Sequence, residues 1–185
     1  GRDMNIINQI TAEIKNTDGV KLLDVDPGAT TNRTVVTFAG EPDAVIEAAF
    51  KAVKKATELI DMSKHKGAHP RFGATDVCPL VPVANITMQE VIEYANKLGK
   101  RIGEELGIPV YLYEFAAKSE DRRNLANVRA GEYEGLEKKL KDPLWHPDFG
   151  PAKFLPKSGA IAVGARNFLV AINYNLNTTS VRRAN

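Results

Sequence analysis

The order of elements in this sequence predicts an α/β chain of the α+β kind, built as a ferredoxin-like mixed β-sheet with helices packed on one face. Strand-like runs rich in β-branched residues alternate with amphipathic stretches of helical period along the whole chain. The first two strand-like runs flank the turn residues Asp26-Pro27-Gly28, so they should pair as a hairpin. Apolar stretches are broken by charges well short of the roughly 20 residues a membrane helix needs, and no internal repeat or low-complexity tract interrupts the pattern.

Residues 5–16 place Ile6, Ile10 and Ile14 on one helical stripe, and Asp18-Gly19 stops it before the strand Val20 to Val25. Arg33 to Phe38 is the second strand, closed by Gly40. From Asp43 to Ile60, Val45, Ala49, Val53, Ala56 and Ile60 share one face, while Glu47, Lys51, Lys54, Lys55 and Glu58 take the other. A polar loop at 61–75 leads to a strand at Val77 to Val83. Thr87 and Glu90 then form a capping box that opens a helix from Met88 to Leu106, ended by Gly107-Ile108-Pro109. Val110 to Tyr113 reads as a strand, Tyr133 to Leu140 as a surface helix, and the proline-rich Pro143 to Gly159 as a long irregular loop of the kind that often serves function. Ala160 to Val163 and Phe168 to Asn173 give two more strands, and Ser180-Val181-Arg182-Arg183 reads as the opening turn of another helix.

The 185 residues are 43% hydrophobic and 26% charged with a net charge of +2, enough for a real core. Lys and Arg are spread evenly, which argues against nucleic-acid binding, and nothing marks a membrane segment or a signal peptide. A single cysteine, Cys78, excludes an intrachain disulfide, and the cytosol is the expected compartment. Gly159 to Arg166 has phosphate-loop glycine spacing but lacks the Lys-Ser/Thr pair, no nucleophile elbow is present, and Cys78 lies in an apolar run.

The segment from Asp61 to Gly73 holds two of the three histidines. Asp61, His65 and His69 are spaced by four, which on one helix face could bind zinc, but Gly67 and Pro70 oppose a helix and no further ligand completes a site. The expectation is therefore no metal. Alternatively one histidine is a general acid/base, since an imidazole exchanges protons near neutral pH. His69 is favoured, lying between Gly67 and Gly73 and two residues from Arg71, whose planar fork suits a carboxylate. Asp26 and Arg33 flank the hairpin turn. They could orient an imidazole and hold an acidic substrate, or serve only as turn residues.

Several ordered blocks resemble the formiminotransferase domain of glutamate formiminotransferases and of formiminotransferase-cyclodeaminases. They are Leu22 to Gly28 with Thr31 to Arg33 and Thr34, Leu59 to Ser63 with His65-Lys66-Gly67 and His69-Pro70-Arg71, Ala74 to Val83, Val110 to Tyr113, Arg129 to Tyr133 and Pro147 to Pro151. The resemblance implies that His69 is the proton-transferring histidine and Asp26 its orienting partner, with Arg33 and Arg71 on substrate carboxylates. It also implies a folate-contacting loop made of Gly150, Pro151, Ala152, Lys153, Phe154, Leu155, Pro156, Lys157, Ser158 and Gly159. Ala68 stands where some members carry glutamate, and Lys157-Ser158 where others carry Ser-Trp.

The activity so implied is transfer of a formimino group from N-formimino-L-glutamate to tetrahydrofolate, a co-substrate, in histidine breakdown and one-carbon metabolism. Residues 1–175 would form the N-terminal subdomain and 176–185 begin a second one, which would complete the site. A first strand would lie upstream, and a homodimer is expected. The competing readings are a non-catalytic module that binds folate or another subunit, and a zinc hydrolase.

Overall fold

The computed structural model describes residues 1–170 and Asn177. Helix α1 runs Met4–Lys15; the Asp3 carboxylate caps it by accepting from the N–H groups of Asn5 (2.9 Å) and Ile6 (3.2 Å). Strands β1 (Val20–Gly28) and β2 (Arg33–Gly40) pair antiparallel as expected, from Val20 opposite Gly40 to Gly28 opposite Arg33, with a bulge between Leu22 and Asp24. Helix α2 (Pro42–Leu59) follows, with its proline in the first turn where the missing N–H is harmless. Strand β3 is Asp76–Leu80, and Pro82 forbids its continuation as a paired strand. Helix α3 occupies Met88–Leu106, opened by the Thr87/Glu90 capping box and closed by Gly107 at φ 65°. Then come β4 (Val110–Glu114), two short helices α4 (Leu125–Arg129) and α5 (Glu132–Leu140), and β5 (Ile161–Ala165).

Both pairing senses expected of a mixed sheet are present, distributed over two sheets: the β1-β2 hairpin, and a parallel sheet in the order β3-β5-β4. The reason helices cover both faces of the second sheet lies in its period of two. Leu80, Val110, Leu112, Ile161, Val163 and Ala165 pack on Phe50 and Val53 of α2 and Val91, Leu98 and Ile102 of α3. The alternate residues Tyr111, Tyr113 and Ala162 pack on Val128 of α4 and Leu136 and Leu140 of α5. Helices α2 and α3 cover one side, and α4 and α5, with Phe72, seal the other, so the helices are not confined to one face; a parallel sheet requires both to be covered. By contrast, the hairpin leaves one face open, with Asp24, Asp26, Val35 and Thr37 exposed.

Phe168 to Val170 lie outside any strand. The rest of the expected last strand, the helix turn at Ser180 to Arg183 and the boundary after residue 175 fall outside the described residues. No helix among the described residues is long and apolar enough to cross a membrane.

The irregular segment after α5 is pinned from beneath. The buried Arg122 guanidinium forms an ion pair with Asp148 at 3.0 Å and donates to the carbonyls of Leu144 (3.0 Å) and His146 (2.7 Å). Asp148 accepts from the Leu112 N–H at 2.8 Å, and the Tyr111 hydroxyl donates to the Trp145 carbonyl at 2.7 Å. Helix α3 presses on the same segment at Gly103, where a Cβ would stand 2.5 Å from Gly150 N and 2.7 Å from Phe149 Cβ. Alanine at an exposed helix position gains about 1 kcal/mol over glycine. Here the clash is with backbone, and overpacking of about 1–3 kcal/mol should win. Gly103→Ala is therefore expected to lower the melting temperature; a rise would show that the loop retreats freely.

Candidate active site

The hairpin turn and the histidine loop meet backbone to backbone. Asn32, in the left-handed region at φ 50°, donates from Nδ2 to the Lys66 carbonyl at 3.1 Å and lies 3.0 Å from His65 Nδ1. The Ala68 N–H donates to the Thr30 carbonyl at 3.4 Å, and a Cβ on Gly67 would stand 2.1 Å from the Thr31 carbonyl oxygen. Only glycine lets the loop pass so close. Upstream, the Asp61 carboxylate caps a single turn at Met62–Lys64.

This junction brings Arg33 onto His69: Arg33 Nη1 is 2.6 Å from Nε2, and Nδ1 is 2.6 Å from the Pro70 carbonyl oxygen. A carbonyl oxygen can only accept and a guanidinium only donate, so Nδ1 carries the proton and Nε2 offers a lone pair. The ring is thus held in one tautomer by its own backbone and by Arg33. Asp26 makes no hydrogen bond to His69 among the described residues. It is exposed, one cross-strand step from Arg33 on the same open face of the hairpin, since Asp26 faces Val35 and Gly28 faces Arg33.

Arg71 is engaged elsewhere. Its fork holds Glu134 through Nη1 (2.8 Å) and Nη2 (2.7 Å), and Nη1 also reaches Glu132 at 3.0 Å. To take a substrate carboxylate, Arg71 must exchange one of these for it. The hydrogen bond from Arg71 holds the Glu134 carboxyl down at about 2. Because the folded-state value lies below that of the unfolded chain, this contact stabilises the fold above the ordinary carboxylate range near pH ~4.3 and is lost as pH falls towards about 2. An NMR titration should find Glu134 titrating near the ordinary glutamate value in Arg71→Gln; no change on substitution would detach the shift from this pair.

Lys66, Gly67, Arg71, Gly131, Glu132 and Glu134 line a concavity of about 440 Å³ beside the histidine loop. The loop from Gly150 to Gly159 packs on Tyr133, next to Glu132 and Glu134 in the chain. Phe154 packs at a tilt of 52° on Tyr133, 5.5 Å between ring centres, and the Tyr133 hydroxyl donates to the Pro156 carbonyl at 2.7 Å. The Tyr133 N–H donates to the Arg71 carbonyl at 2.9 Å, the Met62 N–H to Lys157 at 2.9 Å, and the Ala74 N–H to Ser158 at 2.8 Å. Pro151, Ala152, Lys153, Pro156 and Lys157 face solvent, while Ser158 and Gly159 are buried. Arg33 thus touches His69, Arg71 lines the concavity, the 150–159 loop packs on Tyr133, and Asp26 lies on the open hairpin face.

Two other groups are accounted for. Burial pushes the Cys78 thiol up to about 12, which leaves no thiolate for nucleophilic work. Among the described residues no group of three or more His, Cys, Asp or Glu could hold a metal ion. Asn32, Asp76 and Arg129 had no role in the sequence reading; the left-handed backbone of Asn32 and Asp76 is visible only in three dimensions.

Residues 1–166 match the family described as the formiminotransferase domain, N-terminal subdomain. The chain belongs to this family. Among relatives of the formiminotransferase subdomain, a formimidoyltransferase-cyclodeaminase of Dictyostelium discoideum is 56% identical over 176 residues, 95% of this chain and 33% of that protein. One of Gallus gallus is 57% identical over 176 residues, covering 95% and 32%. A glutamate formimidoyltransferase of Streptococcus pyogenes is 48% identical over 181 residues, covering 98% and 60%. The chain therefore spans about a third of the length of the longer relatives it matches.

Proposed function

We propose that this formiminotransferase subdomain supplies the acid/base side of a glutamate formiminotransferase, an enzyme that moves a formimino group from N-formimino-L-glutamate to tetrahydrofolate and releases glutamate. The observation that carries the reading is His69, held in a single tautomer between the Pro70 carbonyl and Arg33, with its Nε2 lone pair facing the guanidinium. Relatives named glutamate formimidoyltransferase support it.

Tetrahydrofolate supplies N5 as the attacking nitrogen. His69 Nε2 accepts the proton that N5 sheds as the new C–N bond forms, then returns it to the glutamate nitrogen as the old C–N bond breaks, so no net proton is gained. Arg33 must yield Nε2 during this exchange, and its guanidinium is then free for a substrate carboxylate. Asp26, on the same face, would draw towards the imidazolium once it forms. The loop Gly150–Gly159 would hold the folate against Phe154 and the exposed Pro151–Lys153 stretch, and Arg71 would serve the substrate only by releasing Glu132 or Glu134. A second subdomain would close the cleft over the open hairpin face. A cytoplasmic homodimer belongs to the same reading, supported by the lone unpaired Cys78 and that open face.

The test is glutamate release from formiminoglutamate and tetrahydrofolate, for this chain and for a form extended to its relatives' length. Transfer by the extended form supports the enzyme. An extended form that binds folate but never transfers would make the chain a binding module.

A further inference from the structure

The concavity beside the histidine loop contains an arginine whose fork is already full. Arg71 Nη1 and Nη2 both bond Glu134, at 2.8 Å and 2.7 Å, in the side-by-side geometry that a free carboxylate adopts on a guanidinium. Glu132 puts a second carboxylate on Nη1 at 3.0 Å, so two anionic oxygens share one nitrogen. Like charges that close repel each other. Glu132 also sits on left-handed backbone at φ 52°, directly after Gly131 at φ 86°, a conformation that a non-glycine residue keeps only where its surroundings hold it. One guanidinium thus carries more negative charge than it needs.

The partners differ in how firmly they are held. The Arg71 side chain is 18% exposed, its guanidinium lies 5.9 Å from the centre of the Tyr133 ring, and Nη2 reaches the His65 carbonyl at 3.4 Å. The side chains of Glu132 and Glu134 are 44% and 61% exposed. An ion pair with so wet a partner contributes little, because water competes for the carboxylate. Glu134 is therefore the member that can leave while Arg71 stays. Lys66 lines the same concavity, is exposed, and its ammonium has no hydrogen-bond or ion-pair partner among the described residues. It offers a departing Glu134 a second cation.

We propose that Glu134 is a resident stand-in for a ligand carboxylate on Arg71: an acidic ligand entering the concavity takes the fork, and Glu134 passes to Lys66. The inference rests on the proposed transferase reading, in which Arg71 serves a substrate carboxylate, and extends it to the two residues that govern the exchange. Arg71 keeps one bidentate carboxylate and Glu132 before and after, so the exchange leaves no buried charge alone. A planar carboxylate fills both Nη positions, which a spherical anion cannot do, so the stand-in also screens out simple ions. The ligand carboxylate belongs either to the amino-acid donor or to the glutamyl end of the folate, and its chemistry on Arg71 is the same.

Calorimetric titration of L-glutamate, and separately of p-aminobenzoyl-L-glutamate, into this chain and into the extended form tests the exchange, and the probe that binds names the source. Glu134→Gln, which removes the competing charge, should tighten binding about fivefold, the upper end of what an exposed ion pair withholds. Lys66→Ala should weaken binding by about two- to fivefold in the parent, yet leave the affinity of Glu134→Gln unchanged, because Lys66 receives Glu134 rather than the ligand. Arg71→Gln should abolish binding in either background. No binding of either probe to either form, or a Glu134→Gln variant that binds no tighter, overturns the stand-in. A Lys66→Ala loss that persists in Glu134→Gln overturns the passage to Lys66. Formimino transfer by an extended form whose Glu134→Gln variant binds no tighter would keep the function and remove the inference; tighter binding without transfer would do the reverse.

Discussion

His69→Ala is expected to slow formimino transfer by about 10²–10⁴-fold in the extended protein, the range typical for loss of a general acid/base. The KM for either substrate should change little, because the imidazole acts on the proton in flight rather than on substrate binding. The geometry sharpens the expectation. Nδ1 is fixed by the Pro70 carbonyl and Nε2 by Arg33, so Nε2 is the reacting nitrogen, and Arg33→Lys should lower kcat and raise the donor's KM together. A His69→Ala variant with an unaltered rate would remove this histidine from the chemistry. An Asp26→Asn variant that slows transfer without changing KM would assign Asp26 to the imidazolium, although the free structure leaves the two apart.

Asp148→Asn should be the most damaging single change to stability, by about 3–5 kcal/mol. The Asp148 and Arg122 side chains are 5% and 10% exposed, so removing the carboxylate's charge leaves a guanidinium buried against Tyr111 and Trp145 without its counter-ion. The same carboxylate accepts from the Leu112 N–H in the middle of β4. Loss should therefore loosen both the sheet edge and the segment that leads into the 150–159 loop. Urea unfolding of the variant measures it. A change below about 1 kcal/mol would place the pair in effective contact with water. Arg122→Met with Asp148→Leu, which removes both charges, should recover much of the loss.

Much of this was legible in the sequence because it is local. The bounds of α3 follow from Thr87, Glu90 and Gly107, all acting over a few residues; the hairpin was legible from its two β-branched runs, but Asp26-Pro27-Gly28 is paired strand and the turn is residues 29–32. Helix α4 was missed because Leu125–Arg129 is too short to show a period. That α4 and α5 cover the second face of the parallel sheet could not be read, since Tyr111 and Tyr113 are as compatible with one buried face as with two. The candidate site residues were proposed from chemistry and resemblance; their partners in the fold were not legible. Arg71 looked free because Glu132 and Glu134 lie 61 and 63 residues away in sequence, and His69 took an arginine and a carbonyl rather than the expected aspartate. Such pairings are set by how loops are docked, which no short-range pattern encodes.

The glycines between the two site loops carry a last consequence. A Cβ on Gly73 would lie 1.7 Å from the Ala160 carbonyl oxygen, and one on Gly159 would lie 2.2 Å from that of Phe72. Glycine in a functional loop usually suggests a hinge, but these two are spent on contact, and a hinge needs free rotation. At this point the two loops are held against each other, backbone to backbone. In the proposed transferase reading, substrates would then reach His69 across the uncovered hairpin face, with the histidine loop and the 150–159 loop held together as one wall.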